Sequence, residues 1–156
     1  MNIQSLETAI EELLNDFLVN ESSYFLVEVI IAPVHNIRIF IDGDQGVSID
    51  KCVEWNRSIY KKIEAQNWFN PGDFSLEVSS PGLDKPLKMH RQYIKNINRM
   101  VEVVQENNTK IIGQLITVDD SGITIQTQEG KGKKMIQKET TILFSSIKTT
   151  TIQSIF

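Results

Sequence analysis

The densest group of chemically capable side chains lies at residues 79–86, which read Ser-Ser-Pro-Gly-Leu-Asp-Lys-Pro. Hydroxyls, a carboxylate and an ammonium group so close together would suit a nucleophilic active site, a phosphate-binding loop or a rigid connector. A nucleophilic serine at a strand end is expected on a Gly-x-Ser-x-Gly turn, and this spacing is absent. A phosphate-binding loop needs several glycine amides before a helix, and the segment holds one glycine. The segment itself therefore favours a connector.

Two other residue types could act in catalysis with this segment. A small hydrolase that uses Ser80 or Cys52 as nucleophile and His90 as base is the alternative from the enzyme class. Cys52 lies on the apolar side of a predicted helix, where a lone cysteine usually serves in packing. His90 lies on a polar helix, and no motif joins it to either nucleophile. We therefore predict a protein without enzymatic activity.

The carboxylates give little support to a metal site. Asp42, Asp44 and Asp50 are close in sequence, but they lack the Asp-x-Asp-x-Asp-Gly order and the closing glutamate of a calcium loop. Roles in a turn and at a helix cap explain them better. We predict neither a metal nor a cofactor.

The two prolines give residues 79–86 a mechanical role. Pro81 and Pro86 fix their own φ angles and restrict the residues before them, so the segment has few conformations to lose on ordering. Gly82 permits a sharp turn between them. We predict a stiff hinge that faces a partner, and this connector segment comprises Ser79, Ser80, Pro81, Gly82, Leu83, Asp84, Lys85 and Pro86.

Basic side chains follow the connector segment and recur in a glycine-containing loop. Lys88 and Arg91 come first, and Lys131, Lys133 and Lys134 form the loop. Such groups contact phosphates without reading sequence. Aromatic residues that could stack on bases are few in this half, so the pattern does not favour sequence-specific reading of single strands. We predict that all five residues contact a partner.

The composition is typical of a folded cytoplasmic protein. Hydrophobic residues make up 40% of the 156 residues and charged residues 23%, which is enough apolar material for a core. No apolar run approaches the roughly 18 residues of a membrane span. Glu7, Glu11 and Glu12 stand where a signal peptide needs an apolar stretch. The single cysteine excludes an intramolecular disulfide.

Charge is divided unevenly along the chain. Residues 1–86 hold 6 Lys and Arg against 14 Asp and Glu, a net charge of −8. Residues 87–156 hold 10 against 6, a net charge of +4. Such a division suggests two domains that face different partners.

Hydrophobic spacing predicts a small α+β domain at residues 1–86. Apolar residues at helical spacing predict an amphipathic helix that ends near Asn20. Two runs rich in branched aliphatic residues, joined by a short link, predict a β-hairpin. Ser48 is the predicted N-cap of a second helix that ends near Ala65. A strand follows at residues 74–79, and a crossover through the helix would make it parallel to its partner. The predicted buried stripe of the second helix is Cys52, Ile59 and Ile63, with Val53 and Tyr60 beside it.

Residues 87–156 have a different pattern of predicted elements. A short polar helix precedes several short strands, rich in Thr and Ile, that are separated by turn sequences such as ENNT and DDSG. Regular spacing of short strands with turn signals between them is typical of a small β-barrel. We therefore predict two domains, 1–86 and 87–156.

Three segments, IFIDGDQGVSIDKC, RSIYKKIEA and LEVSSPGLDKPL, resemble the ribosome maturation factor RimP family in order and spacing. The resemblance implies an α-β-β-α-β domain, with a three-stranded sheet and two helices, followed by an SH3-like or Sm-like barrel. It implies a non-catalytic assembly factor that binds the immature small ribosomal subunit late in maturation. The implied contacts are small-subunit rRNA and a ribosomal protein near the decoding centre. We expect such a protein to be monomeric.

The connector segment matches the most specific motif of the family that the chain resembles. Asp42, Asp50 and Cys52 match an earlier motif of the family. Lys85 stands where the family usually has arginine, which keeps the charge but loses the bidentate fork.

A different binding function also fits a small barrel. An mRNA- or small-RNA-binding regulator with an Sm-like barrel would bind free oligonucleotides tightly and with a steep salt dependence. The net charge of −4 does not favour such binding.

Overall fold

The computed structural model of the chain describes residues 2–130, 132–134 and 136–153. The chain separates between Pro81 and Gly82 into an N-terminal unit, Met1–Pro81, and a C-terminal unit, Gly82–Phe156. The point of separation lies inside the connector segment. The predicted domain boundary after Pro86 stays a prediction.

The N-terminal unit has the predicted order α-β-β-α-β. Asn2 caps the first helix, because its Oδ1 accepts a 2.7 Å hydrogen bond from the backbone N–H of Ser5. This helix ends at Phe17, earlier than the predicted end near Asn20. The elements are α1 (Ile3–Phe17), β1 (Tyr24–Ala32), β2 (Asn36–Gly43), α2 (Ile49–Ala65) and β3 (Ser75–Ser79).

The three strands form one sheet in the order β1-β2-β3. β1 and β2 are an antiparallel hairpin, and β3 runs parallel to β2 with Leu76 opposite Ile37. Both predicted pairings are confirmed. Parallel neighbours cannot be joined by a tight turn, so the chain must cross the sheet between them, and α2 lies in that crossover.

α2 begins where the sequence predicts and buries one side against the sheet. The Ser48 hydroxyl accepts a 3.1 Å bond from the backbone N–H of Lys51. Val53, which the sequence places beside the buried stripe, is 48% exposed. Its position is rotated by about 100° around the helix from Cys52, toward solvent. The buried residues of α2 are Cys52, Trp55, Ile59 and Ile63.

Trp55 joins α2 to the start of β1. It is 2% exposed, its Nε1 donates to Glu21 Oε2 at 3.3 Å, and its ring meets Tyr24 edge-on at 4.9 Å. Lys51 Nζ donates to the other oxygen of Glu21 at 2.9 Å, and this bond lowers the pKa of Glu21. One carboxylate therefore ties two elements together beside the core. Other core members are Leu6, Ile10, Leu14, Ile37, Ile39, Ile41 and Ile59.

The C-terminal unit is a short helix followed by five strands. The strands pair antiparallel in the order β7-β6-β5-β4-β8. This is the sheet of a small barrel-like domain, and the predicted α+β fold class is confirmed. Within the described residues β7 and β8 do not pair, so the barrel is not closed. The elements are α3 (His90–Lys95), β4 (Met100–Gln105), β5 (Lys110–Val118), β6 (Gly122–Glu129), β7 (Ile136–Leu143) and β8 (Ile147–Ile152).

Tyr93 fixes α3 to β8 inside the second core. Its hydroxyl donates to Thr150 Oγ1 at 2.8 Å, and both residues are buried. Burial also raises the pKa of Tyr93. The backbone N–H of Leu87 donates to the Thr150 carbonyl at 2.8 Å, so the same strand holds the chain just after the connector segment. The surrounding core is Val101, Val103, Leu115, Ile123, Ile125 and Ile142.

Replacing Tyr93 by Phe should lower the free energy of unfolding by about 1–3 kcal/mol, because the Thr150 hydroxyl would stay buried without this partner. The double variant Tyr93→Phe/Thr150→Val removes both polar groups and should recover most of the loss. Urea unfolding followed by circular dichroism measures each value. A double variant that loses the full sum of the single losses would show that the two hydroxyls are not coupled.

Candidate functional site

β3 leads directly into the connector segment. Ser79 is the last residue of β3, opposite Phe40 of β2, and Ser80 is exposed. Gly82 has a φ of +73°, in the left-handed region, and a Cβ there would meet no atom within 4 Å. The backbone conformation, and not lack of space, therefore favours glycine at this position.

The centre of the connector segment is open to solvent. Leu83, Asp84 and Pro86 are exposed, whereas Lys85 is half-buried and already takes part in an interaction. Leu83 is 52% exposed and places an apolar side chain among polar ones. Such a mixture suits contact with another protein better than it suits catalysis. The partner-binding role of residues 79–86 stays a prediction.

The structure describes some of the five basic residues that are predicted to contact a partner. Lys88 is exposed and Arg91 is half-buried, and both already take part in interactions. Lys133 is exposed in a short 3-10 helix, Gly132–Lys134. Lys131 lies outside the described residues, as does the side chain of Lys134. Partner binding by these five residues stays a prediction.

Lys88 lines a cleft of about 440 Å³ in the C-terminal unit, the lysine cleft. The Nε2 of His90 lies 3.0 Å from the carbonyl oxygen of Asp119, and the His90 ring lies 6.0 Å from that of Phe144. Two ammonium groups beside an aromatic ring can bind an anionic group. Sequence reasoning missed Lys148, because only the folding of β8 brings it near Lys88. The residues of interest in its lining are Lys88, His90, Asp120, Phe144 and Lys148.

A second concave surface, the α2–β3 groove, lies in the N-terminal unit between the first half of α2 and the end of β3. Its volume is about 390 Å³. Ile49 is 83% exposed and Val53 is 48% exposed, so much of the apolar wall faces solvent. Sequence reasoning missed this groove, although Ile49 and Val53 are one helical turn apart and outside the buried stripe. Lining residues include Val47, Ile49, Cys52, Val53, Val78 and Ser80.

Cys52, one of the two nucleophiles considered for a hydrolase, lacks the properties of an activated thiol. Burial raises the pKa of Cys52, although a hydrogen bond with the backbone of Ser80 partly opposes that rise. A thiol with a raised pKa stays protonated at neutral pH and is a weak nucleophile. Cys52 and Ser80 belong to the N-terminal unit, whereas His90 belongs to the C-terminal unit.

Carboxylates and helices were also considered for metal and membrane binding. Within the described ranges, no three His, Cys, Asp or Glu side chains come together as a metal site requires. Asp42 is buried, and its Oδ1 accepts a 2.8 Å bond from the N–H of Gly43, which is a turn role. None of the described helices combines the length and the apolarity needed to cross a bilayer.

Known proteins resemble the chain along most of its length. The family model described as RimP N-terminal domain matches residues 13–84. A Christiangramia forsetii protein is 34% identical over 91% of this chain and 94% of its own length. Proteins from Cytophaga hutchinsonii and Porphyromonas gingivalis are 32% and 35% identical, over 91% and 89% of this chain and 86% and 92% of their own. All three bear the name Ribosome maturation factor RimP.

Alkylation of Cys52 by iodoacetamide should be slow at neutral pH, and its rate should reach half of the maximum at a higher pH than in the unfolded chain, because burial raises the pKa of the thiol. The thiolate is the reacting form, and burial disfavours it. Mass spectrometry at a series of pH values measures the rate. The urea-unfolded chain, which has one cysteine, gives the reference midpoint. A folded-state midpoint below this reference would contradict the prediction and support the hydrolase alternative.

Proposed function

The chain belongs to the ribosome maturation factor RimP family, and we propose that it is a non-catalytic assembly factor that binds the immature small ribosomal subunit and promotes its late maturation. On this proposal it works as a monomer in the cytoplasm, without a cofactor. Membership of the family gives ribosome maturation as the process in which the chain takes part. The small ribosomal subunit as its partner is what we add by proposal.

The observation that carries the proposal is that the division of charge follows the division of structure. The N-terminal unit holds 5 Lys and Arg against 13 Asp and Glu, a net charge of −8. The C-terminal unit holds 11 against 7, a net charge of +4. A negative surface repels phosphates and attracts basic proteins, and a positive surface does the reverse. A partner that contains both RNA and basic proteins, as a ribosomal subunit does, suits both units.

The two units then make different contacts. The N-terminal unit faces basic ribosomal protein and nearby rRNA. The C-terminal unit docks on a small-subunit protein near the decoding centre, and its lysine cleft offers Lys88 and Lys148 to an rRNA phosphate. The loop of residues 131–134 and Arg91 extend this basic surface. The connector segment contributes its exposed Leu83 and Asp84 to the contact.

Maturation is promoted by a population shift. The protein binds one conformation of an RNA–protein intermediate more tightly than its misfolded alternatives, and the equilibrium moves by that difference in affinity. A difference of about 1.4 kcal/mol shifts the ratio of the two conformations tenfold. Because no bond is made or broken, this function needs no activated nucleophile.

Co-sedimentation tests the proposed partner. The purified protein is centrifuged with free small subunits, complete ribosomes and naked rRNA at two salt concentrations. Pelleting with free small subunits alone, retained at moderate salt, is the expected result. Equal binding to naked RNA that is lost with salt would contradict it and favour an RNA-binding regulator, since phosphate contacts alone are strongly salt-dependent.

Replacing Gly82 by Val or Asp84 by Ala should weaken small-subunit binding by roughly fivefold or more, the effect of losing an important interface contact. Gly82→Val also strains the backbone by about 1–2 kcal/mol, because valine disfavours the left-handed region. Gly72→Val is the matched control, since Gly72 has a φ of +79° and equally open surroundings outside the connector segment. The matched control for Asp84→Ala is Asp16→Ala, since Asp16 of α1 is also exposed and lies outside the connector segment.

Quantitative co-sedimentation and circular dichroism check this prediction together. Loss of binding in folded Gly82→Val, with normal binding by Gly72→Val and Asp16→Ala, is the expected pattern. Normal binding by a folded Gly82→Val/Asp84→Ala double variant would show that the connector segment does not contact the subunit.

A further inference from the structure

We propose that the α2–β3 groove binds an extended, basic segment of another protein, which adds to β3 as a fourth strand and places apolar side chains against α2. The shape and the charge of the groove do not depend on a role in ribosome maturation. The groove would give the acidic unit a binding site within the proposed function, and only the identity of the protein that supplies the segment rests on that function.

The outer edge of β3 is the edge along which a further strand would pair. β3 is an edge strand of its sheet. The N–H of Ser75 donates to the carbonyl of His35 and therefore points toward β2. Since these groups alternate along a strand in a parallel ladder, those of Leu76 and Val78 point away from β2. The Leu76 carbonyl accepts a 3.1 Å bond from Asn56 Nδ2 of α2. The backbone of Ser80, on the same side, makes a hydrogen bond with Cys52 of α2. The outward main-chain groups of Val78, between these two contacts, are the ones that would pair with an added strand.

The side chains beside this edge form an apolar wall. Ile49 and Val53 lie one turn apart on α2, and Val78 lies opposite them on β3. Exposed aliphatic residues that cluster in a concave surface are typical of a binding site. A strand added along β3 would direct alternate side chains toward this wall. Edge strand, groove and helix together match the peptide-binding mode in which main-chain bonds give affinity and side-chain pockets give specificity.

The charges around the groove favour a basic segment. Asp44, Asp50 and Glu54 are exposed at or beside the start of α2, and Asp50 lies in its first turn, where it offsets the positive end of the helix. Lys51 is paired with Glu21, so this cation is already partly neutralised. Arg57 lines the groove and opposes the trend locally. The net charge of −8 on the whole unit adds a long-range attraction for cationic partners.

The probe is a labelled, end-capped peptide of alternating valine with lysine or threonine, Lys-Val-Thr-Val-Lys-Val-Thr-Val-Lys, followed by fluorescence anisotropy. The wild-type chain should bind it saturably. Val53→Arg and Ile49→Arg should each weaken binding about tenfold or more, because they put charge into the apolar wall. Val19→Arg is the matched control: Val19 is 67% exposed, lies outside the groove and gives the same change in net charge. Circular dichroism confirms that each variant is folded.

Two further measurements separate strand addition from general charge attraction. Methylating alternate backbone nitrogens of the peptide removes main-chain donors and should weaken binding about tenfold, and the Val78 amide should exchange more slowly when the unmodified peptide is bound. Arg57→Glu should strengthen binding roughly two- to fivefold, since it replaces a repulsive charge by an attractive one at an exposed site.

Four results would overturn the inference. They are failure of the wild-type chain to bind the peptide, equal binding by Val53→Arg and Val19→Arg, tighter binding of a peptide with glutamate in place of lysine, and a wild-type dimer that becomes monomeric in Val53→Arg. The last would mean that a second copy of the chain occupies the groove. Small-subunit pelleting is scored separately. Peptide binding without pelleting would reject the proposed function and leave the groove assignment standing, whereas pelleting without peptide binding would do the reverse.

Discussion

The parallel pairing of β3 with β2 is the constraint on which the N-terminal unit depends. Because parallel strands enter at the same end of a sheet, the chain must return along its length before β3 can form. The 17 residues of α2 span about 26 Å and cover most of that return. The helix then buries Trp55 and Ile59 against the strands, and it lies beside β3, which is at the edge of its sheet among the residues that the structure describes. The α2–β3 groove is a direct consequence of this topology.

Sequence patterns predicted the elements that local interactions determine. Ser48 caps its own helix within one turn, and the hairpin of β1 and β2 closes through a short link, so both were predictable. The helical phase of α2 was predicted only in part. Trp55 is fixed by Glu21, which lies 34 residues away, and no local pattern reports such a partner. Local patterns also could not predict whether the second sheet closes into a barrel, because closure depends on whether two edge strands that are distant in sequence pair with each other.

The candidate surfaces show the same limit. The connector segment was visible because proline and glycine act on their own backbone angles, and Gly82 has the left-handed conformation that such a turn needs. The lysine cleft was not visible, because Lys148 reaches it only through the pairing of β8 with β4. Ile49 could have been found, since an exposed aliphatic residue that follows a helix cap and repeats one turn later at Val53 is a local signal.

The groove and the connector segment meet at the same two residues. Ser79 and Ser80 line the end of the groove and also begin the connector segment, because β3 ends there. A substitution at either serine would therefore disturb both surfaces and could not separate them. Ile49 and Val53 belong to the groove alone, and Asp84 belongs to the connector segment alone. A strand added to β3 beside Val78 would end next to Ser79 and Ser80, so an occupant of the groove would also lie close to the start of the connector segment.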